Sequence, residues 1–374
     1  MADSFWLAEP SPGLRSRPLP GAPEVAIVGG GITGVSAALT LARLGKRVCV
    51  HEAREVAAGA SGRNGGFALR GGAMAYDSAR DWLGAADAAA YWRLTEAYVD
   101  RMADLGGDAF RRAGSLRLAG EDELDELRAE YEALRADGFD AEWRDELPAP
   151  LSGRFPGALF HPGDGVLQPA RLVRRLAAAA VEAGVEIREH HRVRDVAELG
   201  ADTVLVATDG YPSGLLGALE GLIIPTRGQM LATEPLEERL FPLPHYGRHG
   251  FDYWHQDESG RLIVGGFRDA DMDSEFTASE ETTPRIQGAL EGFVESLLGR
   301  SPAITHRWAG IFGLVPDLMP VVGELPGAAR DPDAVGYSGH GNVLGLLSGD
   351  LVAKAIAGER HPLLERMSPA RLVA

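Results

Sequence analysis

The chain has 374 residues, of which 45% are hydrophobic and 24% charged, and its formal net charge is -17 at pH 7. This length and composition are typical of a globular enzyme with two domains, and the negative charge argues against nucleic acid or an anionic membrane as a partner. Cys49 is the only cysteine, which excludes a disulfide framework and leads us to expect a reducing, cytoplasmic location.

Residues 1–22 predict an extended arm, because the segment that leads into the first apolar run is rich in proline and arginine. Asp3 and Glu9 lie in the N-terminal stretch, which has no long apolar run, so we expect no signal peptide. No segment of the chain has the length and apolarity of a membrane span.

The first folded unit is predicted to be a strand, a glycine turn and a helix. Val25 to Val28 form a buried apolar run, which leads into Gly29-Gly-Gly-Ile-Thr-Gly34 and a helix from Thr33 to about Leu44. Residues 46–50 predict a second strand, at whose end Glu52 stands. Strand, turn, helix and acid in this order predict a dinucleotide site.

Each glycine of this turn has a physical reason to be there. Gly29 permits the tight turn, Gly31 lets the backbone approach a pyrophosphate, and Gly34 lets the helix pack against the strand. The helix N-terminus then presents amides and partial positive charge to the phosphates, and Glu52 can bind ribose hydroxyls. The alternative is an ordinary βα turn without a ligand.

Residues 76–211 predict alternating helices and short strands. Helical spacing predicts helices at 76–105, 121–136 and 168–184. Short apolar runs predict strands at 185–187, 193–196 and 203–207. The last strand leads into Thr208-Asp-Gly-Tyr211, where a doubly wound sheet would meet its ligand a second time.

Residues 210–310 predict an inserted β-rich region, with a long strand at 222–233 and a hairpin of 251–255 with 261–265. A strand at 334–337, a glycine turn at 338–342 and a helix at 344–357 then repeat the opening pattern. The pattern predicts a cofactor domain that is built from both ends of the chain.

Several motifs resemble a known family, the FAD-dependent oxidoreductases of the D-amino-acid oxidase superfamily, which includes glycine oxidase, sarcosine oxidase and the γ-glutamylputrescine oxidases. The resemblance rests on the first glycine turn and on four further segments: Gly59-Ala-Ser-Gly-Arg-Asn-Gly-Gly66, Ile224-Pro-Thr-Arg-Gly-Gln-Met230, Pro316-Asp-Leu-Met-Pro-Val-Val-Gly323 and Gly339-His-Gly-Asn-Val-Leu-Gly345. The 59–66 segment and the arm sequence Ser4-Phe-Trp-Leu-Ala8 are most similar to the γ-glutamylputrescine oxidase branch.

The resemblance implies an α/β fold, with a Rossmann-type FAD-binding domain of the glutathione-reductase kind and an inserted α+β substrate domain that contains a mostly antiparallel sheet. We expect residues 23–75, 150–215 and 311–374 to form the FAD-binding domain, and residues 76–149 and 216–310 to form the substrate domain.

The resemblance also implies the residues that hold FAD. They are Gly29, Gly31, Ile32, Thr33, Gly34, Glu52, Ala53, Ser61, Arg63, Asn64, Gly65, Gly66, Val193, Ala207, Thr208, Gly339, His340, Gly341, Asn342, Leu344 and Gly345. Some sarcosine oxidase relatives attach the flavin through a C-terminal cysteine. The only cysteine here is Cys49 in a predicted strand, so we expect noncovalent FAD.

The reaction that the resemblance implies is a two-electron oxidation of a C–N bond. Hydride passes to flavin N5, the imine hydrolyses, and O2 or another acceptor reoxidises the flavin. The substrate would be a small amine or amino acid, and His340 near the flavin is either a functional residue or an ordinary turn histidine.

The predicted hairpin favours an amine over a simple α-amino acid. It carries Phe251-Asp-Tyr-Trp-His-Gln-Asp-Glu258, an aromatic and acidic wall, with His255 or a neighbour where amino-acid oxidases commonly have arginine. Tyr253 or Trp254 could hold an ammonium group by a cation–π contact, although each aromatic fits the inner face of a sheet equally well. Arg227 remains a possible carboxylate clamp or a structural residue.

Other functions stay open at this point. A non-catalytic FAD-binding protein and a glycine or D-amino-acid oxidase share the same motifs. A nicotinamide-dependent dehydrogenase would not need the 59–66 loop, and a monooxygenase should carry a second complete nucleotide turn. We expect no metal, because His190 and His191 are adjacent on a predicted strand and point to opposite sides. The oligomeric state is not indicated.

Overall fold

A computed structural model of the chain describes residues 4–11, 13–212, 214–215, 217–324 and 332–373. The strands, in chain order, are β1 (Val25–Val28), β2 (Val48–His51), β3 (Phe67–Ala68), β4 (Phe110–Arg112), β5 (Ser115–Ala119), β6 (Glu142–Arg144), β7 (Gly157–His161), β8 (Gly165–Leu167), β9 (Glu186–Arg188), β10 (Thr203–Val206), β11 (Ile224–Pro235), β12 (His245–Gly247), β13 (Asp252–Gln256), β14 (Arg261–Gly266), β15 (Ile304–Leu314), β16 (Val321–Glu324) and β17 (Pro332–Val335). The helices are α1 (Ile32–Arg43), α2 (Tyr76–Leu83), α3 (Ala85–Gly106), α4 (Leu124–Ala136), α5 (Pro169–Glu182), α6 (Met272–Glu275), α7 (Pro284–Leu298), α8 (Gly341–Ile356) and α9 (Leu363–Met367).

The two ends of the chain meet in a six-stranded sheet with the order β16-β17-β10-β1-β2-β9. β1 lies in the centre and runs parallel to both β2 and β10, with Val25 paired to Val48 on one side and to Thr203 on the other. All four residues of β1 are buried, as expected for a strand that is covered on both faces. β10 then pairs in parallel with β17, which brings the C-terminal part into the same sheet as the opening strand.

Helices α1 and α8 pack together closely because α8 carries small residues on the contact face. A Cβ atom at Gly349 would lie 2.3 Å from the carbonyl oxygen of Thr33, and one at Gly345 would lie 2.7 Å from the Ile32 side chain. The Ser36 hydroxyl donates to the Leu346 carbonyl at 2.7 Å. This pair of helices fixes the opening and closing glycine turns relative to each other.

The middle of the chain forms an eight-stranded sheet with the order β15-β11-β14-β13-β12-β5-β7-β6. Its pairings are antiparallel except for the parallel contact of β5 with β12. One face packs on α7 through an apolar cluster that includes Trp254, Phe241 and Leu290. The opposite face of the eight-stranded sheet is therefore turned towards the six-stranded sheet. A small antiparallel sheet, β3-β8-β4, accompanies it.

Two predicted elements differ from the structure. The helix predicted at 76–105 is two helices, because Gly84 adopts a φ of +84° that ends α2 before α3 begins. The strand predicted at 193–196 is absent. Instead the Asp195 side chain accepts a hydrogen bond from the Ala197 amide and starts a short 3₁₀ turn, Val196–Leu199.

The fold is α/β, with one largely parallel and one largely antiparallel sheet. The division into domains stays a prediction, and several strands fall across it. β7, within 150–215, pairs with β5 and β6 in the eight-stranded sheet, β8 pairs with β4, and β15 runs through the boundary between residues 310 and 311. None of the helices in the described residues is long and apolar enough to cross a bilayer.

Candidate cofactor and substrate site

A single cavity of about 1330 Å³ lies where the glycine turns of the six-stranded sheet face the eight-stranded sheet. Its volume exceeds the 300–1,000 Å³ that is usual for pockets of ordinary small ligands. Residues from β1, the start of α1, β2, β13, β15 and the start of α8 all line it. The cavity is therefore large enough for a long ligand that touches both sheets.

The first glycine turn forms one wall of the cavity and leaves no room for side chains. A Cβ atom at Gly29, where φ is +115°, would lie 2.4 Å from the Ala207 carbonyl oxygen, and one at Gly34 would lie 2.0 Å from the Gly29 carbonyl oxygen. Gly29, Gly31, Ile32 and Thr33 line the cavity, whereas Gly34 serves the packing of helix on turn. Gly31 caps α1 without a side-chain hydrogen bond. Apart from Ile32 N, which donates to Ser61 Oγ, the amides of the first turn can therefore donate to an anion.

Glu52 is held in place by two backbone amides. Its Oε2 atom accepts from Gly30 N and its Oε1 atom from Arg54 N, both at 2.7 Å. Glu52 lines the cavity, and the other predicted contacts at this end, Ala53, Val193, Ala207 and Thr208, line it too. Each carboxylate oxygen keeps a further lone pair for a ligand hydroxyl.

Two histidines lie beside Glu52 that the sequence did not single out for this end. His51 and His191 line the cavity, and their Nδ1 atoms are 3.1 Å apart. Burial lowers the pKa of His51 to about 4. The His51 ring is therefore neutral near pH 7.

The 59–66 loop continues the cavity wall. Ser61, Arg63, Asn64 and Gly65 line it, and Ser61 Oγ accepts from Ile32 N at 3.0 Å. Arg63 is 5% exposed and donates to the carbonyls of Ala58 and Ala309, so it joins the loop to β15 rather than to solvent. Gly66 does not line the cavity. A Cβ atom there would lie 2.5 Å from the Leu167 carbonyl oxygen.

The closing turn completes the wall. Gly339, His340, Gly341 and Asn342 line the cavity, and α8 begins at Gly341 without a side-chain cap. Asn342 and Asn64 exchange side-chain hydrogen bonds at 3.0 and 3.1 Å, which ties the two ends of the chain together at the cavity. Leu344 and Gly345 are predicted cofactor contacts that do not line the cavity: Gly345 packs against α1, and Leu344 is buried in the apolar core.

His340 faces the cavity as a neutral ring. Burial lowers the pKa of His340 to about 4, and its ring stands edge-on to Tyr246 with the centroids 6.0 Å apart. Its hydrogen-bond partner in the described residues is the Ser338 carbonyl, at a long 3.5 Å. The ring is therefore neutral near pH 7 and has no strong hydrogen-bond partner in the described residues.

Alternation along β13 separates its three predicted residues. Tyr253 lines the cavity, with its ring lying across Gly265, where a Cβ atom would be 2.3 Å away. The prediction for Trp254 is wrong in geometry: its indole points to the opposite face, 1% exposed, and stacks on His245 with the centroids 5.2 Å apart. His255 returns to the first face but reaches the Gly65 carbonyl, 3.0 Å from its Nε2 atom, and not the cavity.

The predicted acidic wall also lies outside the cavity. Asp252 forms a two-pronged ion pair with Arg248, and Asp257 accepts hydrogen bonds inside the hairpin turn from Ser259 and Arg261. The residues that line the cavity do not include these carboxylates.

Arg227 is not a clamp for a ligand carboxylate. Its guanidinium donates to both oxygens of Glu275 at 2.7 and 3.0 Å and to the carbonyls of Ser274 and Glu281, and both side chains are buried. The residue lies outside the cavity wall. It holds the segment that follows α6 against β11.

Arg268 is a cavity residue that the sequence analysis missed. Gly266 (φ +114°) and Phe267 (φ +59°) turn the chain sharply after β14 and bring Arg268 to the cavity. Its guanidinium lies 4.6 Å from the centre of the Phe251 ring and 5.9 Å from that of Phe312. It forms no ion pair with a carboxylate of the described residues. The only available signal was an arginine directly after the Gly265-Gly266 pair that ends the hairpin.

A second missed feature is a segment that crosses the cavity after α6. Ala278, Ser279, Glu280 and Glu281 line it, and Glu280 accepts from Arg54 at 2.9 Å and from the Tyr211 hydroxyl at 2.6 Å. Arg63 Nη2 lies 3.6 Å from the same carboxylate. The arginines at this part of the cavity are thereby neutralised, in contrast to Arg268. Within the described residues, no set of three or more metal-ligating side chains is arranged to hold an ion.

Comparison with known proteins gives a consistent result. A family model described as "DAO: FAD dependent oxidoreductase" matches residues 24–355. The chain is 27% identical over 379 residues to "Probable oxidoreductase OrdL" of Haemophilus influenzae, covering 91% of this chain and 84% of the relative. It is 28% identical over 375 residues to gamma-glutamylputrescine oxidoreductase of Escherichia coli, covering 90% and 84%.

A solved structure of glycine oxidase from Geobacillus kaustophilus superposes with a TM-score of 0.76 at 23% identity, covering 93% of this chain and 98% of the other. At this identity the likeness establishes the fold.

Proposed function

The chain belongs to the DAO family of FAD-dependent oxidoreductases, and on that premise we propose that it binds FAD noncovalently in the 1330 Å³ cavity and oxidises the C–N bond of an amine that carries an anionic group. The observation that carries this proposal is the continuity of the cavity. It extends from the amide-rich turn at Gly29 and Glu52 to the guanidinium of Arg268, which has no carboxylate partner in the described residues.

The residues present fit FAD. Gly29, Gly31 and the first amides of α1 would hold the pyrophosphate, because the turn is free of side chains and the helix N-terminus favours an anion. Glu52 would accept hydrogen bonds from the ribose hydroxyls. The loop residues Ser61, Asn64 and Gly65 and the closing turn Gly339–Asn342 would follow the ribityl chain and the flavin ring.

The position of the only cysteine supports noncovalent binding. Cys49 is buried in β2, away from the cavity wall, and burial raises the pKa of its thiol to about 11. A buried, protonated thiol cannot reach the flavin. Acid precipitation should therefore release the yellow colour into the supernatant, and colour that stays on the precipitate would contradict this part of the proposal.

When FAD is bound it supplies the two-electron acceptor, taking hydride from the carbon next to nitrogen and leaving an imine that water hydrolyses. The chain's own residues position the substrate. Arg268 pairs with its anionic group, and the Phe251 and Phe312 rings hold the guanidinium in place. Tyr253 shapes the wall of the same cavity, and His340 lines it as a neutral ring.

This proposal revises the substrate expected from the sequence. An acidic wall would favour an amine without a negative group. Since that wall lies outside the cavity and Arg268 lies inside it, an amine with a carboxylate is the better match. Relatives named gamma-glutamylputrescine oxidoreductase and glycine oxidase are consistent with such substrates.

The test is anaerobic mixing of the purified yellow protein with paired compounds, each amine against its analogue with a carboxylate. We expect the carboxylate-bearing member of a pair to bleach the flavin at lower concentration. Admission of O2, or of an artificial acceptor, would then restore the colour and identify the type of acceptor. A protein without flavin, or flavin that no amine bleaches, would refute the function.

A further inference from the structure

Four consecutive carbonyl groups of the cofactor loop are each bound by a donor from a different part of the chain. Trp308 Nε1 on β15 donates to the Arg63 carbonyl at 2.9 Å, and Trp6 Nε1 on the N-terminal arm donates to the Asn64 carbonyl at 2.7 Å. His255 Nε2 on β13 contacts the Gly65 carbonyl at 3.0 Å, and Leu167 N on β8 donates to the Gly66 carbonyl at 2.8 Å. The loop is thus fixed carbonyl by carbonyl.

The fixed carbonyls determine where the amides point. In a trans peptide the C=O of one residue and the N–H of the next are opposed, and the peptide bonds of this loop are trans. The N–H groups of Asn64 and Gly65 therefore point away from Trp308 and Trp6. Neither amide has a hydrogen-bond partner among the described residues, and both residues line the cavity. The next amide, that of Gly66, is already bound by Asn64 Oδ1 at 2.8 Å.

The three aromatic donors are buried, and two of them are in ring contact. Trp308 is fully buried, Trp6 is 3% exposed, and His255 is 2% exposed. The Trp6 and His255 rings are stacked, with an interplanar angle of 8°. Because a carbonyl oxygen can only accept, His255 must carry its proton on Nε2, and its Nδ1 atom has no partner in the described residues. None of the three rings lines the cavity, so their effect on a ligand must pass through the loop.

We propose that Trp6, His255 and Trp308 are positioning residues for bound FAD, which hold the 63–65 carbonyls outward so that the amides of Asn64 and Gly65 form a fixed pair of donors to the flavin ring. Donors that are fixed before the reaction stabilise the negative charge that the ring gains on reduction. The inference rests on the proposed function, since it requires FAD in this cavity. It assigns the N-terminal arm a part in tuning the cofactor.

The test uses substitutions that remove one ring N–H and keep the bulk: Trp6→Phe, Trp308→Phe and His255→Phe. The probe is sulfite, which adds its lone pair to N5 of oxidised flavin and leaves negative charge on the ring. We expect each variant to raise the dissociation constant of sulfite about three- to tenfold, the range of one weakened hydrogen bond, and to lower the reduction potential of the flavin. Trp92→Phe, a buried indole in the α2–α3 core, is the matched control and should leave both quantities at the wild-type value.

His255→Gln gives a second test, because its amide keeps a donor at a similar reach. It should restore the sulfite affinity that His255→Phe loses. Wild-type sulfite affinity and potential in both Trp6→Phe and Trp308→Phe would overturn the inference. A variant that does not fold leaves the others to decide, since Trp6 lies on the arm and not in the sheet.

Failure of the two proposals can be told apart. If the wild-type protein holds no FAD, or no amine bleaches it, the proposed function fails. If the wild type is yellow and is bleached by an amine, while the variants match it in sulfite affinity and potential, only the positioning role fails.

Discussion

Single residues decide the chemistry of the cavity by the direction in which they point. On β13, the aromatic sequence Tyr253-Trp254-His255 was visible, but its register relative to the sheet was not. The pleat sends Tyr253 into the cavity and Trp254 into the opposite core. Arg227 and Arg268 show the same limit, because an arginine's role depends on whether a carboxylate partner lies near it in space. Glu275, which neutralises Arg227, is 48 positions away.

Exchange of Arg268 for Met should weaken substrate binding. The side chain keeps its length but loses the charge that pairs with the anionic group, so we expect KM for a carboxylate-bearing amine to rise at least tenfold, equivalent to about 1.4 kcal/mol or more. KM for the matching amine without a carboxylate should change little. Arg300→Met, at an exposed ion pair with Glu238, is the control. Equal effects on both substrates would contradict a role in anion recognition.

Tyr253 and Trp254 offer a paired test of the strand's two faces. The Tyr253 hydroxyl has no hydrogen-bond partner in the described residues, so Tyr253→Phe should remove a contact to ligand and reduce kcat/KM by up to about tenfold. Trp254→Phe should instead lower the melting temperature, since it removes volume from a packed core. Steady-state kinetics and thermal unfolding of both variants would check this, and the reverse pattern would place the strand in the other register.

At the scale of elements, the sequence predicted most where a local pattern carried the information. The opening strand, α1 and α8 follow from apolar runs and glycine turns, and the hairpin of β13 and β14 follows from its turn residues. The break at Gly84 was missed because the helical spacing continues across it. The anchoring of the 59–66 loop by Trp6 and Trp308 was missed because each tryptophan lies far in sequence from the carbonyl that it binds.

The packing of α1 on α8 makes a testable prediction. Gly349→Ala places a methyl group 2.3 Å from the Thr33 carbonyl oxygen, so the helices must separate, which should destabilise the protein by about 1–3 kcal/mol. The yield of bound flavin should fall as well, since the two glycine turns lose their fixed separation. Thermal unfolding and the ratio of flavin to protein absorbance would measure both effects.

Gly292 in α7 is the matched control, because a Cβ atom there meets nothing within 4 Å. Gly292→Ala should be neutral or stabilise by up to about 1 kcal/mol. A loss of flavin in both variants would indicate that any helix substitution perturbs the fold, and not this interface in particular.

At the scale of the whole molecule, the cavity depends on three stretches of chain that are distant in sequence: the opening turns, the hairpin region and the closing turn. The repeated strand–glycine–helix pattern predicted that both ends of the chain build one cofactor domain, and the structure brings strands from both ends into one sheet. The position of the segment at Glu280 could not be predicted from the sequence. This segment ties α6 and α7 to Arg54 and Tyr211. Its residues are ordinary polar ones until their partners are known.

The whole molecule should lose stability as the pH falls below 7. Burial lowers the pKa of His51, His255 and His340 to about 4 and that of His245 to about 3, against about 6.5 in the unfolded chain. Between these values the unfolded chain binds more protons, so the free energy of unfolding decreases with decreasing pH. Asp164 and Asp209, whose pKa burial raises to about 6, act in the opposite direction but are fewer.

Urea unfolding at about pH 7.5 and about pH 5 would measure this dependence. His245→Phe removes one of the four rings and should make the decline shallower. A free energy of unfolding that is unchanged or larger at the lower pH would contradict the assignment of neutral, buried histidines.

The pairing of Asn64 with Asn342 has a consequence for biosynthesis. The two amides lie 278 positions apart, so translation must pass residue 342 before the wall that contains the second amide exists. A nascent polypeptide that extends only as far as the hairpin still lacks one wall of the cavity that would hold the coenzyme. Capture of the coenzyme must therefore wait until both segments have been synthesised and have folded against each other.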